Sequence, residues 1–349
     1  MACNSESEIE KATFTEHTIK DEQVFLSAED APYLGRPTAI KAVSDGLFFI
    51  DEGYYQITKV DKEGNHLLSY GNRGRGPGEF QSIAGFWPFK NEYLVYDYNS
   101  FKFLTFDKEG SLVEEVVVEK NPVNPDGFPP NIPITVHAIS TYELLIPSRG
   151  RNGSLFAIAD IKTDNLKFTG EAIGPFVESY DHENVIQTFA QGEIPDIFLN
   201  LVMMTNSASG IYSFQQTTGK LEKYSHSGEL VWQKDLKIPA QNDLFDQIAR
   251  KNQLIGMENE PRHLFKYATS IDANENGVAV LLNMPDGDPV TAVWVPEDGK
   301  RMDVLTFSGL EQEEFRFFES GIFTVNPTGS RAYILNTQDG IIYKAEWPL

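Results

Sequence analysis

One strand–turn–strand unit recurs along this chain, and the recurrence limits the possible fold more than any other feature. YQITKVDKEGNHLLSYG (Tyr55 to Gly71) aligns with FKFLTFDKEGSLVEEVV (Phe101 to Val117), so DKEG returns from Asp61 to Asp107, 46 residues later. Each copy reads as a strand, a tight Asp/Gly turn and a second strand, which is a hairpin. Weaker copies turn at Asn165, Gly228 and Gly299. A short apolar strand precedes each hairpin: GLFFIDEG, EYLVYDYN, YELLIPSR, GIYSFQQT, GVAVLLNM and RAYILNTQ. There are six such strands but five full hairpins, because the last copy, IIYKAEWPL, ends before its partner strand.

Units of roughly 40 to 70 residues with four strands each are propeller blades. The expected fold is therefore all-β: a six-bladed β-propeller closed by an N-terminal strand that completes the last blade. A β-sandwich or a two-domain β protein leaves the sixfold unit unexplained. TFTEHTIK, Thr13 to Lys20, is the expected donor of the missing strand, lying beside Ile341 to Trp347. That pairing removes the long exposed edge an open ring would carry. The expected organisation is a tether over 1–12 and one propeller domain over 13–349. Only Asn242 to Met257 shows a helical face, with Leu244, Ile248 and Leu254 on one side and Asn242 as the N-cap.

GNRGRGPGEF…YLVYDYNSFKFLTFDKEG resembles an NHL-type repeat: a glycine-rich loop, Gly-Glu-Phe, an aromatic strand ending in Asp-x-x-Ser, and a strand closing on FDKEG. The whole chain is similar to the six-bladed propeller lipoproteins of Bacteroidales, the TolB-like and NHL-like group. The resemblance is carried by Tyr54 to Val118 and elsewhere by strand spacing. It implies the propeller fold and an address in the bacterial cell envelope, and it implies no chemistry.

The glycine-rich stretch Gly71 to Phe80 invites two readings that its spacing rejects. A phosphate-binding loop needs Lys-Ser/Thr after its last glycine, where this chain has Glu79-Phe80. A dinucleotide fingerprint opens a helix, whereas Gly74, Gly76 and Gly78 lead into another strand. The stretch reads as the link from the outer strand of one blade to the inner strand of the next. Arg73 and Arg75 within it are candidate contacts for an anionic ligand.

Charge restricts the partners. Twenty-nine Lys+Arg against 51 Asp+Glu give a net charge of −22, which repels nucleic-acid phosphates and anionic membrane surfaces alike. No run of 18 apolar residues is present to form a membrane-spanning helix. The single cysteine, Cys3, excludes a disulfide framework and cysteine-pair zinc sites. Met1-Ala2-Cys3 followed by NSESEIEKA has the layout of a bacterial lipoprotein at its cleavage point. Lipidation of Cys3 is expected to be the membrane attachment, on the outer-membrane, periplasmic or surface side; the alternative is a free terminal thiol.

The six histidines match no metal-binding spacing, and no G-x-S-x-G nucleophile elbow occurs. No cofactor is expected. Asp286 and Asp288 in MPDGDP read as a β-turn rather than a calcium loop. Asp97 and Asn99, at the end of what reads as an inner strand, are the one pair placed for a channel metal. They carry the alternative reading, a metal-dependent enzyme of the lactonase or lyase type. The leading expectation is non-catalytic binding of an envelope protein or small ligand. Blade-to-blade connections are short after the first blade and long after the second, third and fourth, and long ordered connections on one face carry function. Tyr54, Tyr98, Arg149, Arg151, His182 and His263 are the residues expected to line that face, with Tyr and Arg as anchors.

Overall fold

The computed structural model describes residues 14–118, 136–163, 165–178, 181–241, 244, 246–248, 250, 266–285, 287–311 and 322–348. The chain enters through β1 (Phe14–Ile19) and β2 (Gln23–Leu26). Blade one is β3 (Pro37–Val43), β4 (Gly46–Asp51), β5 (Gln56–Val60) and β6 (His66–Tyr70). Blade two is β7 (Ile83–Pro88), β8 (Glu92–Asp97), β9 (Lys102–Asp107) and β10 (Leu112–Val117). Blade three is β11 (His137–Ala138), β12 (Glu143–Pro147), β13 (Ser154–Asp160) and β14 (Leu166–Glu171). Blade four is β15 (Val202–Ser207), β16 (Gly210–Gln215), β17 (Lys220–Tyr224) and β18 (Leu230–Asp235). Blade five is β19 (Ala268–Asn274), β20 (Gly277–Leu282), β21 (Pro289–Pro296) and β22 (Met302–Glu311). Blade six is β23 (Phe323–Val325), β24 (Arg331–Asn336) and β25 (Ile341–Glu346), completed by β2.

Each first strand touches the first strands of both neighbouring blades, so β3, β7, β11, β15, β19 and β23 ring the axis. The six-bladed all-β propeller expected from the repeat is the fold observed.

The second strands are apolar without alternation because both of their faces are buried. In β8, Tyr93 and Val95 join a cluster with Phe48 and Ile50 of blade one. Leu94 and Tyr96, one residue out of phase, join a cluster with Leu144 and Ala157 of blade three. Similar clusters fill the seams between blades three and four, between four and five, and across five, six and one. Each fully buried Val, Leu or Phe contributes about 1.5–3 kcal/mol, so the seams hold the ring together.

The DKEG turns close as their composition dictates. Asp61 Oδ1 accepts from the amides of Glu63 (2.9 Å) and Asn65 (2.8 Å), and Asp107 Oδ1 accepts from Glu109 (3.0 Å) and Ser111 (2.8 Å). Gly64 and Gly110 take φ of 93° and 84°, a conformation that costs a residue with a Cβ.

Closure departs from the expected pairing. The strand beside β25 is β2, antiparallel, with Gln23 opposite Lys344 and Val24 opposite Tyr343. Within that segment Phe14–Ile19 instead forms β1, which adds a parallel fifth strand to blade five, Phe14 opposite Met302 and Ile19 opposite Phe307. Ser308 Oγ donates to Ile19 O (2.8 Å), and Asp21 Oδ2 accepts from Glu346 N (3.1 Å), so the linker between β1 and β2 is pinned as it passes from blade five to blade six.

Candidate binding face and axial channel

In a four-stranded antiparallel blade the strand ends alternate between two rims. Blade-to-blade connections and second-to-third-strand turns share one rim, and the remaining turns share the other. The topology therefore puts Tyr54, Arg73, Arg75, Tyr98, Arg149, Arg151 and the start of α1 on one face, with Lys62 and Lys108 opposite. Among the described arginines, Arg36, Arg73, Arg75, Arg149, Arg151 and Arg250 fall on the connection face; Arg301 and Arg331 sit at turns of the other.

The glycine-rich connection folds as the predicted link between blades. Gly74 N donates to Phe80 O (2.9 Å) and Phe80 N donates to Asn72 O (2.8 Å), while Glu79 Oε2 accepts from Gly76 N (2.7 Å). Gly71, at φ 89°, lies against the fully buried Phe80 ring, and a Cβ there would overlap it. Arg73 is exposed, and its guanidinium lies over the Tyr55 ring at 4.8 Å. Arg75 is exposed, and its carbonyl accepts from Lys102 Nζ at 3.2 Å.

Tyr55 and Phe101 hold φ of 55° and 52° at the last position of the second-to-third-strand turns of blades one and two. Blades four and six place Gly219 and Gly340 at the matching position, with φ of 69° and 65°. The left-handed conformation costs an ordinary residue about 1–2 kcal/mol. In blade one that position supplies the ring beneath Arg73. Tyr54 is half exposed and donates its hydroxyl to Pro32 O (3.1 Å). Tyr98 is half-buried against Tyr96, ring centres 6.5 Å apart.

In blade three the corresponding turn carries Arg149 (φ 56°), Gly150, Asn152 (φ 54°) and Gly153. It packs against the connection that follows the same blade, so that a Cβ on Gly150 would meet Asn200 and Gly174. Asn200, itself buried, accepts from Ile173 N (2.8 Å) and Gly174 N (3.1 Å) and donates to Gly174 O (3.0 Å). Arg151 lies over the Phe176 ring at 5.2 Å, and Arg149 has one guanidinium nitrogen buried. The two arginines, which the sequence suggests as an equivalent pair, thus differ in surroundings.

Two helices missed in the sequence reading cover part of this face. α1 (His182–Ala190) is capped by Asp181, whose carboxylate accepts from Asn184 N (3.1 Å), and α2 (Asp196–Leu199) follows. Val185, Phe189, Ile197 and Phe198 form a small core with Leu244 and Ile248. Leu244 and Ile248 are the buried face expected for the third helix, so the connections after blades three and four meet as one cap. The i, i+4 pair Val185 and Phe189 behind an Asp was the available signal for α1. His263, Cys3 and Leu254 lie outside the described residues, as does Asp286.

Asp97 ends β8, the second strand of its blade, one strand out from the axis. Its carboxylate accepts from Gln81 N (2.8 Å), Ser82 N (2.9 Å), Asn99 N (3.2 Å) and Ser100 Oγ (2.6 Å). Asp51 does the same in blade one, accepting from Arg36 N (3.0 Å) and Tyr54 N (3.0 Å). These carboxylates tie each turn to the incoming connection. Among the described residues no three His, Cys, Asp or Glu converge.

The axis holds a ring of residues that sequence reading did not anticipate. Lys41, Trp87, His137, Thr205, Asp272 and Thr324 each pair with the third residue of the following strand, so all six blades contribute one residue at the same level. Lys41 Nζ donates to Asp272 Oδ1, and Asp272 Oδ2 accepts from Thr324 Oγ1 (2.7 Å) and Val325 N (3.1 Å). A cavity of about 100 Å³ is lined there by Lys41, Phe86, Trp87, His137, Met203 and Ile271, among others. Burial, then the Lys41 charge, push His137 down to about 3 against a hydrogen bond with Asn206. On the connection side, burial pushes Lys266 down to about 7.

The model of a family described as 6-bladed beta-propeller, DUF5128, matches residues 6–124. No functionally curated protein matches the sequence significantly. Among solved structures, a protein of Bacteroides fragilis NCTC 9343 named as exported aligns with TM-score 0.53 and 12% identity, over 96% of this chain and 99% of that one. A member of the DUF4221 family from Bacteroides vulgatus ATCC 8482 aligns with TM-score 0.53 and 12% identity, over 94% and 96%. Blade layout, family match and these structural likenesses agree: the chain is a six-bladed β-propeller, similar in its first third to the DUF5128 family and in fold, over nearly its whole length, to these two Bacteroides proteins.

Proposed function

We propose that this chain is a non-catalytic binding propeller of the bacterial cell envelope, held to the membrane through a lipid on Cys3, and that its connection face receives a protein or small ligand. The observation that carries the reading is the concentration on one face of the helical cap, the Arg73–Tyr55 and Arg151–Phe176 pairs, and most described arginines. Arginine stacked on an aromatic ring presents a pre-organised planar fork, which loses less entropy per hydrogen bond than a lysine does. On a chain of net charge −22, such cations make an anion-accepting patch against a repelling background. Carboxylate-bearing partners fit that chemistry.

An envelope address is supported by the Cys3 layout and by the likeness to a Bacteroides protein named as exported. No described helix is long and apolar enough to cross a membrane.

Hydrogen exchange on the protein before and after loading with solubilised envelope proteins of its host tests the reading. Protection is expected at 71–80, 148–153 and 173–190. Protection confined to the opposite turns, 61–65 and 107–111, contradicts it.

A further inference from the structure

The axial cavity presents an ammonium group whose one counter-ion, Asp272, is shared with other donors. Lys41 has three ammonium donors, and Asp272 takes one of them. The other carboxylate oxygen of Asp272 is turned into blade six, where the Thr324 hydroxyl and the Val325 amide already stabilise its charge. Lys41 keeps about a quarter of its side chain exposed, and it lines the cavity together with His137. The remaining lining is apolar or aromatic, including Trp87, Phe86, Met203 and Ile271, so little competes for an anion there. At the same level the Thr205 hydroxyl is fully buried and has no hydrogen-bond partner among the described residues.

We propose that this cavity binds a compact monovalent anion, of chloride to formate size, between Lys41 and His137. The volume sets the size limit. About 100 Å³ is well above the roughly 10–15 Å³ that a single water needs. Sites for metabolites run to roughly 300–1,000 Å³, so a nucleotide or sugar is excluded while a halide or formate fits. The field sets the sign. Burial first, and then the Lys41 charge, disfavour protonation of His137, so the Lys41 ammonium, shared with Asp272, is the cation an incoming anion meets. An anion between Lys41 and His137 pairs with the Lys41 ammonium, favours protonation of His137 and stabilises the folded ring, because the unfolded chain has no such site. Lys41 and His137 come from first strands, and none of the arginines of the connection face lines the cavity.

Crystals of the intact protein grown in sodium bromide, with data collected at the bromine absorption edge, test the assignment. The expected result is an anomalous peak in contact with Lys41 Nζ and His137, lost in Lys41→Met. A melting series at constant ionic strength supplies a solution readout that does not depend on the variant folding. Chloride, bromide and formate are expected to raise Tm by a few degrees over isethionate, which is too large to enter. The His137 ring, followed by NMR, is expected to titrate at higher pH in chloride than in isethionate. No bromide peak in the cavity, together with equal Tm in all four salts, overturns the proposal and leaves the cavity to water.

Discussion

Thr324 in blade six donates its hydroxyl to Asp272 in blade five at 2.7 Å and, on its other side, accepts the backbone amide of Ala42 in blade one at 3.1 Å. All three residues are buried. The first strand of blade six has only three residues, Phe323–Val325, so the final blade is held at the axis by this relay as much as by its own ladder. Thr324→Val keeps the shape but leaves an Asp272 oxygen and the Ala42 amide short of a partner. The expected cost is about 1–3 kcal/mol in urea unfolding. Thr324→Ser restores most of it; equal loss in both variants would assign the effect to packing.

Closure gives a graded truncation series. Removing residues 1–20 deletes β1, which lies on the outer edge of a blade that already has four strands. Removing residues 1–27 also deletes β2 and leaves blade six with three strands and an open edge. The shorter truncation is expected to unfold cooperatively with a reduced midpoint, and the longer one to lose cooperative unfolding. Identical curves for the two would mean that β2 does not close the ring.

The contrast between the two N-terminal strands shows where sequence reading stops. The hairpins were legible because turn and strands are contiguous: Asp61, Gly64 and the residues around them fix their own geometry. Which distant strand β25 pairs with is not a local property. Thr13 to Lys20 and Gln23 to Leu26 are both short, β-prone and close to the N-terminus, and only the pinned linker through Asp21 distinguishes them. The axial ring was hidden for a related reason. Lys41, His137 and Asp272 are unremarkable polar residues in sequence and share a level only once six registers are known. The candidate face was legible in outline from loop lengths, but not the helix at His182–Ala190 nor the different surroundings of Arg149 and Arg151.

Asp97 and Asn99 separate a turn from a metal site. Asp97→Ala removes the acceptor of four hydrogen bonds and is expected to cost about 2–3 kcal/mol, with no dependence on added calcium or magnesium. Asn99→Ala is expected to cost little. A parent protein whose Tm rises with a divalent ion, and an Asp97→Ala variant whose Tm does not, would instead support the metal reading.

Two bases, the half-buried His137 and the buried Lys266, set the pH response. His137 titrates near 6.5 when unfolded and at about 3 when folded, so the unfolded chain binds the extra proton between those values. Its contribution to stability is intact above pH 6.5 and is lost as pH falls from there towards 3. Lys266 titrates near 10.5 unfolded and at about 7 folded, so stability rises with pH across that interval. His137→Gln is expected to flatten the acid limb of a Tm–pH profile and Lys266→Met the alkaline limb. Limbs unchanged in the variants would mean that neither group is held neutral by the fold.

The central claim is that the connection face, and not the opposite one, does the binding. The most direct measurement compares partner retention from solubilised host envelope by the parent, by Arg73→Ala/Arg151→Ala, and by Lys62→Ala/Lys108→Ala. Both variants should melt close to the parent, since a cation–π contact contributes about 0.5–1 kcal/mol at an exposed site and an exposed lysine less. The account predicts that the arginine pair loses most of the partner, at least tenfold in apparent Kd, while the lysine pair retains it. Equal retention by the two variants, or loss only from the lysine pair, would contradict it.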